Sequence, residues 1–417
     1  MRRRRAAAPL APLLLLALAA LAALAALQGR PAFAALPMGG PTKAPAAFPA
    51  SARLSPARAP RVAMGALKSP GGPLDEASTG LLLLNVVTAL FGSNQAIIRT
   101  LVTDDDTAGA MDCMLCMALR FSIATLALGA AMGVNHVRGE DPAARARSAL
   151  AEGEGASRAG FWELLPKATE LAVWLFLGFV AQAQGLQFTT AGHGALLGSL
   201  TVVLVPFLSL TDGRKLSTAT MISAGLALCG SCIFVGPEAF AGGSLGGYGD
   251  MLQLASAALF AVQLWRCEKI SRTVPRDQVT ELTCLQLGMV ALMSLACLFG
   301  STPDMSGVVN TMASWPMMEW GQVAVMGLVT TAFCLWAEAR ALQTVDAAPA
   351  ALVYACEPLW GALFAWLWLG ETLDGPYSTI GAAVLLLASA VGVLSSMAGS
   401  GEAAEAAEVS DEPAVAN

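Results

Sequence analysis

The stretch "ALVYACEPLWGALFAWLWLGETL", residues 351–373, decides how this chain is read. It is long and apolar enough to cross a bilayer, whose hydrocarbon core takes about 20 residues of helix. Yet Glu357 and Pro358 stand together inside it. A carboxylate in such a helix costs about 2.5–3.5 kcal/mol on insertion scales. A proline removes a backbone donor and clashes with the carbonyl four residues back, here that of Tyr354. Either the run is no membrane helix, or the pair has a purpose.

The rest of the chain favours the membrane. The 417 residues are 56% hydrophobic and only 13% charged, where a soluble domain carries about 25%. Apolar runs recur at 80–101, 113–134, 168–187, 190–210, 217–236, 248–268, 280–300, 319–341, 347–370 and 376–396. Clusters such as "TDDDTAGAMD" and "STPDMSGVVN" punctuate them. The predicted fold class is all-α, a polytopic membrane protein of ten transmembrane helices. The nine cysteines fall mostly in these runs, where Cys packs as a small hydrophobe. This applies also to Cys113/Cys116 and Cys229/Cys232, whose spacing alone resembles a metal motif. No metal cluster, no Ser/His/Asp arrangement and no basic stripe for nucleic acid is legible. The Gly-rich "AGGSLGGYGD" lacks the strand and the GK[ST] of a phosphate loop. No cofactor, metal site or enzymatic activity is expected.

Basic residues test the map of spans. One set of alternate loops holds Arg138, Arg145, Arg147, Arg158, Lys167, Arg214, Lys215, Arg266, Lys269, Arg272, Arg276 and Arg340. The other set holds Arg99 beside Asp104, Asp105, Asp106, Asp304, Glu371 and Asp374. Such segregation puts both termini on the positive side, the cytosol or the stroma.

The two ends read differently. "MRRRRAAAPLAPLLLLALAALAALAALQGRPAFA", residues 1–34, is a basic start, an apolar run and an A-x-A site, the pattern of a signal peptide. The arm 35–79 is basic up to Asp75 and rich in Ala, Pro and Ser, like a transit peptide. Together they resemble the two-part plastid leader of algae with complex plastids. An uncleaved anchor, or a plain endomembrane or plasma-membrane protein with a basic arm, is the other reading. Residues 398–417 read as a disordered acidic tail.

The chain also repeats. "TALFGSNQ" at 88–95 aligns with "AALFAVQL" at 257–264, an offset of 169, and "TTAGHGALL" at 189–197 with "VDAAPAALV" at 345–353, an offset of 156. Gly225 matches Gly381 in the second register. Two five-helix halves are expected, 80–236 and 248–396, and an odd number of spans inverts one against the other. Inverted repeats that pack around a central site are a transporter architecture.

"EPLWGALFAWLWLGETL" (357–373) with "IGAAVLLLASAVGVL" (380–394), and "GDMLQLASAALFAVQLWRCEKIS" (249–271), resemble the EamA repeat of the drug/metabolite transporter superfamily. "FGSNQAIIR" (91–99) and "LRFSIATLAL" (119–128) look like its first-half counterparts, although "TDGRKLS" stands where Leu-Gly-Glu would fall. The resemblance implies a ten-helix carrier with a central cavity for small organic solutes, moved by alternating access. It leaves open a phosphate or nucleotide-sugar antiporter of the same superfamily. A membrane enzyme or receptor on a similar bundle is the remaining alternative.

Candidate functional residues are the polar groups that interrupt apolar runs. Glu357 reads as a solute or proton site, or as a carboxyl bonded to a neighbouring helix. Arg120, deep in a span, reads as an anion contact, an ion-pair partner or a snorkelling base. Asn94 and Gln263 occupy matched positions in the two repeats and suit a solute or each other's helices. Tyr354 and Trp336 offer a stacking wall. Pro358 predicts a kink in its span, and Pro206, one turn beyond the equivalent register at Thr201-Val202, predicts one at a different height in the other half. Expected partners are a small solute, the lipid bilayer and a coupling proton.

Overall fold

The computed structural model describes residues 76–102, 113–137, 159–189, 191–214, 217–235, 247–301, 305–369 and 376–410. The leader at 1–34 and the arm up to residue 75 lie outside them. The described residues are helical and contain no strand. In chain order the helices are α1 (Glu76–Val102), α2 (Cys113–Val137), α3 (Phe161–Leu186), α4 (Ala191–Gly198), α5 (Thr201–Leu210), α6 (Thr218–Val235) and α7 (Tyr248–Arg272). There follow α8 (Val279–Ser301), α9 (Met305–Ser314), α10 (Met317–Gly327), α11 (Cys334–Ala341), α12 (Ala347–Tyr354), α13 (Glu357–Leu369) and α14 (Pro376–Ser410). Short helical turns join α7 to α8 and α10 to α11.

Local sequence sets several of these boundaries. Gly160 precedes α3 in extended conformation, and the Glu163 side chain reaches back to its N–H at 3.2 Å, a capping arrangement. Pro316 and Pro376 stand at the starts of α10 and α14, where a missing N–H is harmless. α9 forms within a stretch that reads as loop. α14 runs on through the Ala/Glu-rich "GEAAEAAEVS" to Ser410, where the composition alone reads as a disordered tail; Ala and Glu are strong helix formers.

Seven segments are long and apolar enough to cross a membrane: Glu76–Asn94, Met114–Val134, Phe161–Gly185, Thr218–Val235, Arg276–Ser301, Met317–Ala341 and Ala347–Phe364. Leu196–Leu210 and Pro376–Gly392 are apolar but shorter. α7 is not among them, because its inward face buries Asp250, Gln253, Gln263 and Glu268. The chain is an all-helical polytopic membrane protein. The number of segments that qualify by length and apolarity is lower than the ten expected, since polar inward faces and broken helices weaken the signal.

One helix break falls just before Pro358, and another falls six residues before Pro206. α4 and α5 are separated at residues 199–200, and α12 and α13 at 355–356. α5 then continues through Pro206, and Pro358 is the second residue of α13. Proline is well tolerated in a first turn, where the lost N–H has no partner to lose.

Packing runs between helices far apart in sequence. α2 packs on α8, α6 on α14, α3 on α7 and on α8, α1 on α11 and α13, α5 on α7, and α10 on α2. Glycines bring some of these backbones close, as is usual between membrane helices. A Cβ at Gly381 would stand 2.3 Å from the Phe234 nitrogen, and one at Gly92 would stand 2.5 Å from the Trp360 Cβ. Gly225, which aligns with Gly381 in the repeat, meets nothing within 4 Å. The main core joins α1, α2, α3, α7, α8 and α11 through side chains such as Leu84, Phe121, Leu171, Leu282 and Leu342.

Candidate functional site

Two polar clusters are buried in the bundle. The first gathers on the stretch Leu328–Phe333, which is π-helical. Thr331 Oγ1 donates to the Met326 carbonyl five residues back at 2.7 Å. Such wider turns inside α-helices recur at functional sites. Thr330 Oγ1 donates to Asn94 Oδ1 of α1 at 3.0 Å, and Arg120 Nε of α2 donates to Thr331 Oγ1. The Arg120 guanidinium also faces the rings of Phe179 at 5.0 Å and Phe121 at 5.3 Å, contacts in which the ring quadrupole attracts the cation. Arg120 is buried rather than turned to an interface.

The second cluster centres on Glu338 of α11, a residue that the sequence analysis does not single out. Tyr354 donates its O–H to Glu338 Oε2 at 2.9 Å, and Gln263 Nε2 of α7 donates to Oε1 at 3.4 Å. Cys334, one turn before Glu338, is in electrostatic reach of Arg120, Glu338 and Glu357 alike. Asn94 and Gln263, matched in the repeat, each serve one cluster.

The other candidates are placed as follows. Glu357 is half-buried and opens α13 just past the helix break. Tyr354 closes α12, with its ring 6.0 Å from that of Phe91. Trp336 holds different neighbours: its N–H donates to Thr280 Oγ1 of α8 at 3.0 Å, and its ring lies near Phe333. A cleft of about 460 Å³ is lined by Met114, Phe176, Val180, Gln184, Cys297, Gly300 and Ser301. It is apolar and shares no residue with either cluster.

Beside the second cluster, the basic loops are laced together by ion pairs. Glu268 of α7 is completely buried. It accepts from Arg214 at 2.7 Å and Arg272 at 2.9 Å, and its Oε2 accepts the Ala347 N–H at 3.0 Å. Glu268 thus caps α12 from another helix, at the end where the helix dipole is positive. Asp346, the residue before α12, takes Arg272 at 2.7 Å and Arg214 at 3.3 Å. Lys269 pairs with Asp212, which also accepts the Trp265 N–H at 2.8 Å. Burial works to raise the Asp212 carboxyl, but Lys269 and Trp265 outweigh it and hold it below the usual carboxylate range. Arg266 forks onto Glu170 of α3, 2.9 Å at one branch, and Arg276 onto Glu76 of α1, 2.7 Å at one branch. Each of Arg214, Asp212, Glu170 and Glu76 thereby ties residues before 236 to residues after 247.

A many-helix apolar bundle with buried polar side chains is the build of a polytopic α-helical membrane protein. Residues 247–395 match the model of the EamA-like transporter family. That part of the chain is similar to the family, which is part of the drug/metabolite transporter superfamily. A solved crystal structure of another protein superposes with TM-score 0.54 at 21% identity, covering 76% of this chain and 98% of its own. At that identity the likeness concerns the fold alone. No curated protein matches the chain.

Proposed function

We propose that the protein is a carrier that moves small organic metabolites across a membrane by alternating access. It crosses the membrane ten times, as two inverted five-helix halves. The observation that carries this reading is the pair of helix breaks. Residues 199–200 and 355–356 are 156 apart, the offset at which the sequence repeats. Helix packing supports it. Exchanging the halves maps α1 onto α7, α2 onto α8, α3 onto α10–α11, α4–α5 onto α12–α13, and α6 onto α14. Under that exchange the α2–α8 and α6–α14 contacts map onto themselves. The contact of α3 with α7 maps onto that of α11 with α1, and the contact of α5 with α7 onto that of α13 with α1.

In this reading the cargo lies between the two clusters, in contact with Arg120, Asn94, Gln263, Tyr354 and Glu357. Trp336 supports that wall from behind through Thr280. The ion-pair lattice closes the basic side, which faces the cytosol or stroma. The leader-like residues 1–79 favour a plastid membrane. Arg120 is the one base within the two clusters among the described residues, which favours neutral or weakly charged solutes over phosphorylated ones. The test is uptake by purified protein in liposomes against a metabolite panel, with tagging and imaging for the compartment. Saturable uptake is expected. Phosphate-dependent counter-exchange would instead establish the antiporter reading, and failure of every panel solute to enter or exchange would count against a carrier.

A further inference from the structure

We propose that Glu338 is the group that binds and releases a coupling proton, a proposal that rests on the carrier reading above. Glu338 is 4% exposed. Both of its hydrogen-bond donors, the Tyr354 hydroxyl and the Gln263 amide, are neutral. No lysine or arginine pairs with it among the described residues. A buried charge normally has a partner of opposite sign. At this position a proton supplies it.

The surroundings limit what else can play that part. The titratable groups that reach Glu338 among the described residues are Tyr354 from α12, Cys267 from α7 and Cys334 on its own helix. Arg120 from α2 and Glu357 from α13 act on Cys334. α1 and α8 also pack on α11 and present no titratable group to the carboxyl. Neither Tyr354 nor the two thiols are positively charged in either protonation state.

The site is also connected. Tyr354 is the last residue of α12, and the first residue of α12 is held by Glu268. Eight helical residues at about 1.5 Å each form a rod of roughly 10 Å. One end feels the charge on Glu338 and the other rests in the ion-pair lattice. When Glu338 gains a proton its oxygens become weaker acceptors, Tyr354 is held less firmly, and α12 is free to shift against the lattice. When the proton leaves, Tyr354 is drawn back.

Infrared titration of the purified full-length protein tests the assignment without any cargo. The wild type should show a buried protonated-carboxyl absorption that is lost as pH rises. Glu338→Gln should lack it, whereas Glu357→Gln and Glu268→Gln should retain it. Tyr354→Phe should keep the absorption but move it to higher frequency, since one hydrogen bond is gone; this variant serves if Glu338→Gln does not fold. Persistence of the absorption in Glu338→Gln, its absence from the wild type, or an unmoved frequency in Tyr354→Phe overturns the proposal. In liposomes, a pH gradient should drive accumulation by the wild type and not by Glu338→Gln. Wild-type uptake indifferent to the gradient would overturn the coupling and leave the carrier standing. A titrating Glu338 with no uptake of any solute would instead count against the carrier.

Discussion

Glu268 and Glu338 are both buried carboxylates, 0% and 4% exposed, and both lie near the basic end of the bundle. Their surroundings are opposite. Glu268 has two arginines and the N-terminus of a helix. Glu338 has a phenol and an amide. The first sits among cations, and removing them would leave an isolated buried charge. The second holds its charge only with neutral dipoles. The difference teaches that burial alone does not mark a functional acid; the sign of what surrounds it does.

The comparison breaks or sharpens at four points. Replacing both Arg214 and Arg272 by Ala should have the largest effect, a loss of about 3–5 kcal/mol in stability, because Glu268 is left buried without a cation. Thermal or denaturant unfolding in detergent measures it, and a loss no greater than that of Glu338→Gln would erase the distinction. Glu268→Gln should cost less, about 1.5–3 kcal/mol, the range of a charge-assisted hydrogen bond. Tyr354→Phe should cost about 0.5–1.5 kcal/mol, the worth of an ordinary hydrogen bond, and should free α12 from Glu338 while leaving the lattice intact. A cysteine placed at the end of α12 would report that freedom by faster labelling.

The smallest effect belongs to Asp212. Its carboxyl is held below the usual range, so its contribution is complete above the unfolded value of about 4 and is lost as pH falls through the folded one. A pair this near the surface is worth at most about 1 kcal/mol. Asp212→Asn should therefore flatten a shallow acid limb of stability and change little at neutral pH. A large loss at neutral pH would mean that the lattice acts as one unit.

Much of the bundle was legible in the sequence. Hydropathy and basic residues located the helical intervals, because membrane insertion acts on composition. The helix breaks at 199–200 and 355–356 stand 156 residues apart; the second falls between Pro358 and the carbonyl of Tyr354, four residues before it, and α5 runs on through Pro206. The π-helical stretch was not legible: "LVTTAF" is ordinary in composition, and its partners Asn94 and Arg120 come from helices far away in sequence. Glu338 falls inside the apolar run 319–341, three residues from its end, and its local sequence does not set it apart. Its chief partner lies across a turn, and its second on a helix 75 residues away. The Glu268–Arg272 spacing of four was readable as a helix pair, but the completeness of its burial was not.

The break at 355–356 divides one apolar run into two pieces with different surroundings. Residues 347–353 of α12 are all buried in protein, whereas α13 presents Leu363, Trp366 and Leu367 outward. Stretching or thinning of the bilayer therefore acts on α13 and its aromatic anchor, while α12 touches no acyl chain. The elbow at 355–356 joins the outward-facing α13 to the enclosed α12 and its last residue, Tyr354. A single apolar run is thus two helices, one enclosed by protein and one facing outward, joined beside Glu357 and Pro358.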